Sequence, residues 1–407
     1  MYREHTVCRA CNFGAIGAQG IKSGPVSEKL IEVLDLGIQP LANDFKSEGE
    51  ERAGFAPLKV LFCPRCSLSQ LSVVVRPDIL YSNYPYVTSP SDMMHKHLRH
   101  LISDIADEQP NPRSVLEIGS NDGLLLAMME EYGYSVTGVD PAQNLAAIAE
   151  AQRGVKTRVG FFDSKLALDL SQYDIVIARH VFCHVDDWRD FAKGLELVSH
   201  LDTLICIEVP YAGDTIKNCE FDCCYHEHLS YLTIKAVKAL LASTDLRLHR
   251  IIRYPIHGGA VLLMLRHKDR AADVEFYEDI TFHEWREFAK QAHDQISKLK
   301  ATVTTLRAQG KRIAGFGASA KSTVWINACG FNRKDIAFIC DNTPQKQYKF
   351  SPGTDIPIVD EGALLRELPD YMVMWCWNFA SEVLEKQKLY REKGGKFIIP
   401  IPEVEIV

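Results

Sequence analysis

Residues 225–228, Tyr-His-Glu-His, set a phenol, two imidazoles and a carboxylate in consecutive positions. Side chains of these types move protons near neutral pH or ligate metals, and Cys223 and Cys224 add two thiols just upstream. The zinc-protease spacing His-Glu-x-x-His is absent, and histidines two positions apart share a face on a strand but not on a helix. From its own residues the segment reads as a proton-transfer centre, a metal site or a polar surface loop.

Four other cysteines have a more specific spacing, Cys8-Arg-Ala-Cys11 and Cys63-Pro-Arg-Cys66. Two Cys-x2-Cys knuckles complete a closed tetrahedral shell for one Zn2+, which leaves no position open for substrate. The expected metal is therefore structural and contributes folding energy. A separation of about fifty residues is long for a compact ribbon, so a small β-rich lobe must bring the knuckles together. IEVLDLG and LKVLFC read as its strands. Cys183, Cys206, Cys219, Cys223, Cys224, Cys329, Cys340 and Cys376 lack paired metal spacing and read as buried small apolar residues or idle thiols.

The stretch PNPRSVLEIGSNDGLLLAMMEEYGYSVTGVDPAQN reads as strand, glycine turn, amphipathic helix and second strand ending in an acid. Gly119 and Gly123 allow close backbone approach to a ligand, and the helix behind them offers free amides. Asp140, followed by Pro141, lies roughly twenty residues on, where a carboxylate can accept from ribose hydroxyls. A nicotinamide dinucleotide site would prefer G-x-G-x-x-G facing a pyrophosphate. Here Glu117 precedes the first glycine and Asp122 lies inside the turn beside Asn121. Carboxylates there repel a pyrophosphate and suit a cation without phosphate, which describes S-adenosylmethionine. The turn resembles the first motif of class I methyltransferases, with Glu117, Gly119, Asn121, Gly123, Asp140 and Pro141 as the candidate cofactor residues. DIVIARHVFCHV, TLICIEVP, RLHRIIRYP and GAVLLMLRH supply further strands for a doubly wound, seven-stranded sheet.

A long amphipathic helix is expected over residues 281–308, as linker or support. KRIAGFGASAKS then opens a second, smaller α/β unit. Its first turn carries Gly315, Gly317, Ser319 and Lys321 with no acid inside the loop, so it suits an anionic group such as a diphosphate. The alternative is a βα turn with no ligand.

At 407 residues, 46% apolar and 24% charged, the chain has the composition of folded globular domains. Its net charge of -7 disfavours a general nucleic-acid binder. The start MYREHTVCRACNFG shows no signal-peptide pattern, and no run approaches a membrane span of about 20 apolar residues. The expectation is a cytoplasmic α/β protein without membrane or nucleic-acid partners. Its parts would be a zinc lobe at residues 1–75, a methyltransferase sheet with a helical lead-in at 76–270, and a helical linker with a Rossmann-like unit at 271–407.

CRAC and CPRC, YPYVTSPS, LEIGSNDG, VDPAQN, ARHVFCHV, YHEHLSYLT, HGG, and GFGASAKS with DNTPQKQ follow in order along essentially the whole chain. In these the sequence resembles the sugar C-methyltransferase family, which methylates ring carbon 3 of nucleotide-linked 4-keto-6-deoxy sugars. Where that family continues Gly-Asn-Thr after the second glycine turn, this chain has Ser322-Thr323-Val324, which bears on the nucleotide contacts. The resemblance implies S-adenosylmethionine and structural zinc as cofactors and a TDP-, GDP- or CDP-linked sugar as substrate. It also implies nucleotide-sugar contacts from Gly315, Gly317, Ser319 and Lys321. From the pattern Y-x-E-H it places Tyr225, Glu227 and His228 in the active site, with Tyr86 of YPYVTSPS and His184 of ARHVFCHV; His226 is then a bystander. A monomer or homodimer is expected.

A saturated carbon has no lone pair with which to attack a sulfonium, so C3 must first become a carbanion. A 4-ketone makes this possible, because loss of the C3 proton gives an enolate. The site needs a base, a group to orient it and donors for the enolate oxygen. His228 is the expected base and Glu227 can fix its tautomer. Tyrosine hydroxyls or His184 can donate to O4, and His184 can exchange roles with His228. Structural alternatives are a turn cap for His184 and an aromatic core cover for Tyr84 and Tyr86. Competing functions are a sugar O-methyltransferase and an inactive, zinc-stabilised binding protein.

Overall fold

The structure, a computed structural model, describes residues 1–14, 29–52, 54–82, 84–85, 87–88, 92–256 and 258–407. Tyr86 lies outside the described residues. Alternation sets the N-terminal lobe: along Phe55–Phe62, Ala56, Leu58, Val60 and Phe62 are buried and the residues between them less so. This strand pairs antiparallel with Ile31–Pro40 and with Ser69–Leu71. Both knuckles make the same turn. Asn12 and Ser67 follow the second cysteine of each, adopt φ of 57° and 62°, and donate N–H to the carbonyls of Cys8 and Cys63 at 3.0 and 2.9 Å. The lobe's fourth strand is borrowed. Ser230–Tyr231, from the end of the Tyr-His-Glu-His segment, pairs with Ser69–Leu71 through Ser230–Gln70 and Tyr231–Ser69.

The central sheet has seven strands: β1 (Ser114–Ile118), β2 (Ser135–Asp140), β3 (Thr157–Val159), β4 (Tyr173–Arg179), β5 (Ser199–Pro210), β6 (Leu246–Tyr254) and β7 (Ala260–His267). Their order is 6-7-5-4-1-2-3, with β7 antiparallel to both neighbours and the pairs among β1–β5 parallel. This is the class I methyltransferase sheet expected from the sequence. The chain leaves β1 and β4 on opposite sides, so their C-terminal ends open a crevice. The Gly119 turn and residues 180–184 both stand at that crevice.

The C-terminal unit is a six-stranded sheet ordered Ile358–Val359, Ile339–Cys340, Ile313–Phe316, Tyr371–Met374, Lys396–Ile399, Glu405–Ile406, antiparallel only at the last pair. Between the units runs the helix Phe282–Ala308, started by a Thr281–Glu284 capping box. Its buried stripe of Trp285, Phe288, Ala292, Leu299, Val303 and Leu306 has helical period. It packs on Ile31–Pro40, Ala212–Lys217, Phe221–Cys223 and Ala320–Cys329. One core therefore runs from Leu58 and Val60 in the lobe through Val176 and Ile205 to Trp325 and Val373.

Candidate active site

The four knuckle sulfurs converge. Cys8 and Cys66 Sγ are 3.4 Å apart, Cys11 and Cys63 Sγ 3.6 Å, and all four lie within 4.8 Å of one another. Zn–S bonds of about 2.3 Å in a tetrahedron separate the sulfurs by about 3.8 Å, so the donor set and its geometry fit zinc. Arg9, inside the first knuckle, donates to the Leu229 carbonyl at 3.2 Å. The metal lobe thus grips the chain immediately after His228.

At the first glycine turn, Gly119, Asn121 and Gly123 have φ of 72°, 50° and 75°. A Cβ on Gly119 would overlap Val181 Cγ2, so packing alone requires a glycine here. Asp140 accepts from the Asn121 amide and, past Pro141, from the Ala142 amide, both at 2.8 Å, which ties the end of β2 to the turn. Burial pushes the Asp140 carboxyl up, and these two bonds oppose the shift. Glu117 accepts twice from Arg179, at 2.9 and 3.1 Å, through Oε1. Burial still pushes its carboxyl up to about 7. Its other oxygen is buried without a hydrogen-bond partner among the described residues. Such an orphaned acceptor fits a cationic ligand and not a pyrophosphate.

His228 lies in the turn between Cys224 and Ser230. Its Nδ1 is 2.8 Å from the Cys223 carbonyl, which can only accept, so Nδ1 carries the proton and Nε2 the lone pair. The Tyr225 hydroxyl, 2.7 Å away, donates to Nε2. Burial, reinforced by His184, holds the His228 pKa well below the ordinary imidazole value. The ring is neutral, with its lone pair facing the Tyr225 hydroxyl.

His184 sits on the short helical turn Phe182–His184 after β4. Its ring stacks on His228 at 5.2 Å and on Tyr81 at 5.5 Å between centroids. Burial, then His180, lowers its pKa to about 3. His184 Nε2 is buried and unpartnered among the described residues.

Glu227 does not bond His228. Its Oε1 accepts from Asn43 Nδ2 and its Oε2 from the Tyr84 hydroxyl, both at 2.7 Å, while Tyr81 donates to its carbonyl at 3.1 Å. Glu227 lies inside the turn that the His228 N–H closes on the Tyr225 carbonyl at 2.9 Å, and the Cys223 carbonyl orients the histidine in place of the expected glutamate. Burial pushes the Glu227 carboxyl up to about 7 against the pull of Tyr84, Asn43 and Lys346. His226 points to the lobe, 3.3 and 3.2 Å from the Ala56 and Pro57 carbonyls.

Behind β4 lies a triad that the sequence did not suggest. Glu208 on β5 bridges His97 at 2.7 Å and His180 at 2.9 Å. Burial pushes the Glu208 carboxyl up, but its bonds to His180 and His97 outweigh burial and hold it well below the usual carboxylate range. The triad fixes His180 at φ 53°, and with it the exit of the chain toward His184.

The second glycine turn repeats the first. Gly119 N–H bonds the Val139 carbonyl at 2.7 Å and Gly317 N–H that of Cys340 at 2.8 Å; Asp341, like Asp140, accepts from the turn (Ala318, 2.6 Å) and from its own i+2 amide (Thr343, 2.7 Å). The loop itself holds no acid, as its sequence shows, but Asp341 reaches it from the end of the neighbouring strand. Gly315 is a glycine because a Cβ would overlap Trp375 Nε1, and Ser319 caps the following helix by accepting from Ser322 N at 3.2 Å. Lys321 turns inward. Its Nζ lies 4.0 Å from the centroid of the Trp377 ring, and Glu220, Asp222 and Cys223 surround it electrostatically.

Over 397 residues the chain is 32% identical to C-methyltransferase NovU of Streptomyces niveus, covering 93% of this chain and 94% of that one. The chain belongs to the C-methyltransferase family. Residues 26–81 match a zinc binding domain, 92–251 a methyltransferase domain, and 255–402 the C-methyltransferase C-terminal domain. The first knuckle precedes the matched zinc-binding stretch, so the structure is what brings Cys8 and Cys11 to Cys63 and Cys66. Among solved structures, magnesium protoporphyrin IX methyltransferase of Synechocystis PCC 6803 with bound SAM is 14% identical, covers 43% of this chain and 82% of its own, and has a TM-score of 0.33. The PH0226 protein of Pyrococcus horikoshii OT3 is 12% identical over 47% of this chain and 96% of its own, at a TM-score of 0.35. Likenesses of that size carry no residue roles. The C-methyltransferase uses S-adenosylmethionine and holds zinc in its N-terminal lobe, and the O-methyl and inactive alternatives give way. Among the described residues no helix is long and apolar enough to cross a membrane.

Proposed function

We propose that this C-methyltransferase methylates C3 of a TDP-, GDP- or CDP-linked 4-keto-6-deoxy sugar through an enolate. The observation that carries the reading is the neutral His228 ring, with Nδ1 fixed by the Cys223 carbonyl and Nε2 facing the Tyr225 hydroxyl. When the sugar enters, Nε2 takes the C3 proton, and the released Tyr225 hydroxyl donates to O4 as charge develops there. His184, whose Nε2 has no partner among the described residues and whose ring stacks on the same imidazole, is the second donor and the alternative base. Glu227 acts through its neighbours. It holds Asn43 from the zinc lobe and Tyr84 from the lead-in, which shapes the pocket wall and excludes water.

S-adenosylmethionine supplies an electrophilic methyl group when bound. Asp140 would accept from its ribose hydroxyls, beside the turn formed by Gly119, Asn121 and Gly123, and the free oxygen of Glu117 would face its positive charge. The repeated turn construction around Gly317 and Asp341 supports nucleotide binding by the C-terminal unit, through the backbone of the turn rather than the inward-turned Lys321. Nucleotide-linked 4-ketosugars and the matching 4-hydroxy sugars, each incubated with S-adenosylmethionine, test the reading. Only the ketones should be methylated, and the new methyl should stay on the carbon skeleton after acid hydrolysis. Methoxy products, or equal turnover of the 4-hydroxy sugars, would overturn it.

A further inference from the structure

Beside the four-cysteine lobe a second group of side chains has metal-ligating potential. Cys183, His184 and His228 each offer one ligand atom within 4.8 Å of the others. They come from two parts of the fold, the turn after β4 and the turn before Ser230–Tyr231, so sequence spacing does not announce them. Two features make the group more than a cluster. His184 Nε2 is buried and has no hydrogen-bond partner among the described residues. The tautomer of His228 leaves Nε2 as a lone pair, held among the described residues by the Tyr225 hydroxyl proton alone. Among the described residues the Cys183 thiol has one weak hydrogen bond, Sγ to the His180 carbonyl at 3.8 Å.

We infer that Cys183, His184 and His228 form a second metal site, for a borderline or soft divalent cation such as Zn2+ or Co2+, and that its occupancy blocks the methylation centre. One thiolate and two imidazoles are ligands such ions prefer to water, and three protein ligands leave a fourth position open. On binding, the Cys183 S–H bond breaks, its proton leaves to solvent, and a metal–sulfur bond forms. His228 Nε2 gives the metal the lone pair that it now shares with Tyr225. Metal and C3 proton compete for one electron pair, so the ion inhibits. Binding follows from the ligand geometry alone; the inhibition rests on the proposed role of His228 as base.

Purified enzyme retaining its lobe zinc should be titrated with Co2+, following bound metal by dialysis, the thiolate-to-cobalt charge-transfer absorption, and turnover. The native protein should take up a second equivalent with that absorption while turnover falls in parallel. Cys183→Ala should keep the lobe zinc and metal-free turnover, show no such absorption, and need at least ~10-fold more Co2+ for the same inhibition, a loss expected even of an outer-shell partner. His184→Gln should weaken the second equivalent likewise and leave the lobe zinc in place. No second equivalent in native protein, or one that survives unchanged in both variants, would overturn the site. A Cys183-dependent second equivalent that leaves turnover untouched would overturn the block and with it the role given to His228.

Discussion

Glu227 is a carboxyl that the fold holds near its titration point, and Glu227→Gln turns this into a measurable pH dependence. Burial raises its pKa from the ordinary 4.5 to about 7. The folded state therefore binds the proton more tightly than the unfolded chain. Stability from this group is fully present below the unfolded value and is lost as pH rises through the folded one. At 1.36 kcal/mol per unit the full span is worth about 3 kcal/mol, of which about 2 kcal/mol falls between about pH 5.5 and about pH 8.5. The substituted amide keeps an oxygen for Asn43 and removes the titration. Urea unfolding of native and variant protein, followed by tryptophan fluorescence at both pH values, isolates this group because the other titrations cancel. The variant should gain about 2 kcal/mol relative to native on going from the lower to the higher pH. A difference that does not change with pH would refute the argument that burial dominates over Asn43, Tyr84 and Lys346.

Cys63→Ser should lose the lobe zinc, about one per chain in native protein, and lower the melting temperature; unchanged zinc and stability would remove the four-thiolate assignment. Gly119→Ala should cost about 1–3 kcal/mol of stability, because a non-glycine residue must hold φ 72° against Val181, and the added Val181→Ala should recover part of it. Recovery in full would show that overlap, not φ, sets the requirement. His226→Ala should lower stability by about 1–3 kcal/mol through the bonds to Ala56 and Pro57, with turnover per folded molecule unchanged. A large fall in turnover would make His226 a participant in the chemistry.

The parts of the site legible in the sequence are those whose logic is local. Each knuckle is a five-residue turn closed by its own backbone, and the Gly119 turn with Asp140 is one strand–turn–helix–strand unit, so spacing carries the information. Glu227 shows where locality ends. Its partner Asn43 is 184 positions away and Tyr84 143, brought in by the borrowed strand Ser230–Tyr231, and no pattern along the chain encodes that meeting. Chain adjacency misled as well, since Glu227 and His228 are neighbours that face different parts of the fold. Gly315 shows the converse. Its type suggested a ligand, but the Trp375 indole already covers it. The Glu208 bridge between His97 and His180 likewise joins a lead-in helix to β5 and to the segment after β4, and leaves no periodic trace.

The central claim, that His228 takes a proton from carbon next to a ketone, can be tested without methyl transfer. Enolate formation does not consume S-adenosylmethionine, so native enzyme incubated in heavy water with a nucleotide-linked 4-ketosugar and S-adenosylhomocysteine should exchange the C3 hydrogen for deuterium. His228→Asn keeps a side chain of similar shape without the basic lone pair, and its exchange should fall by about 10²–10⁴-fold while both ligands bind nearly as before. Normal exchange in His228→Asn, with exchange lost instead in His184→Asn, would contradict the assignment and make His184 the base.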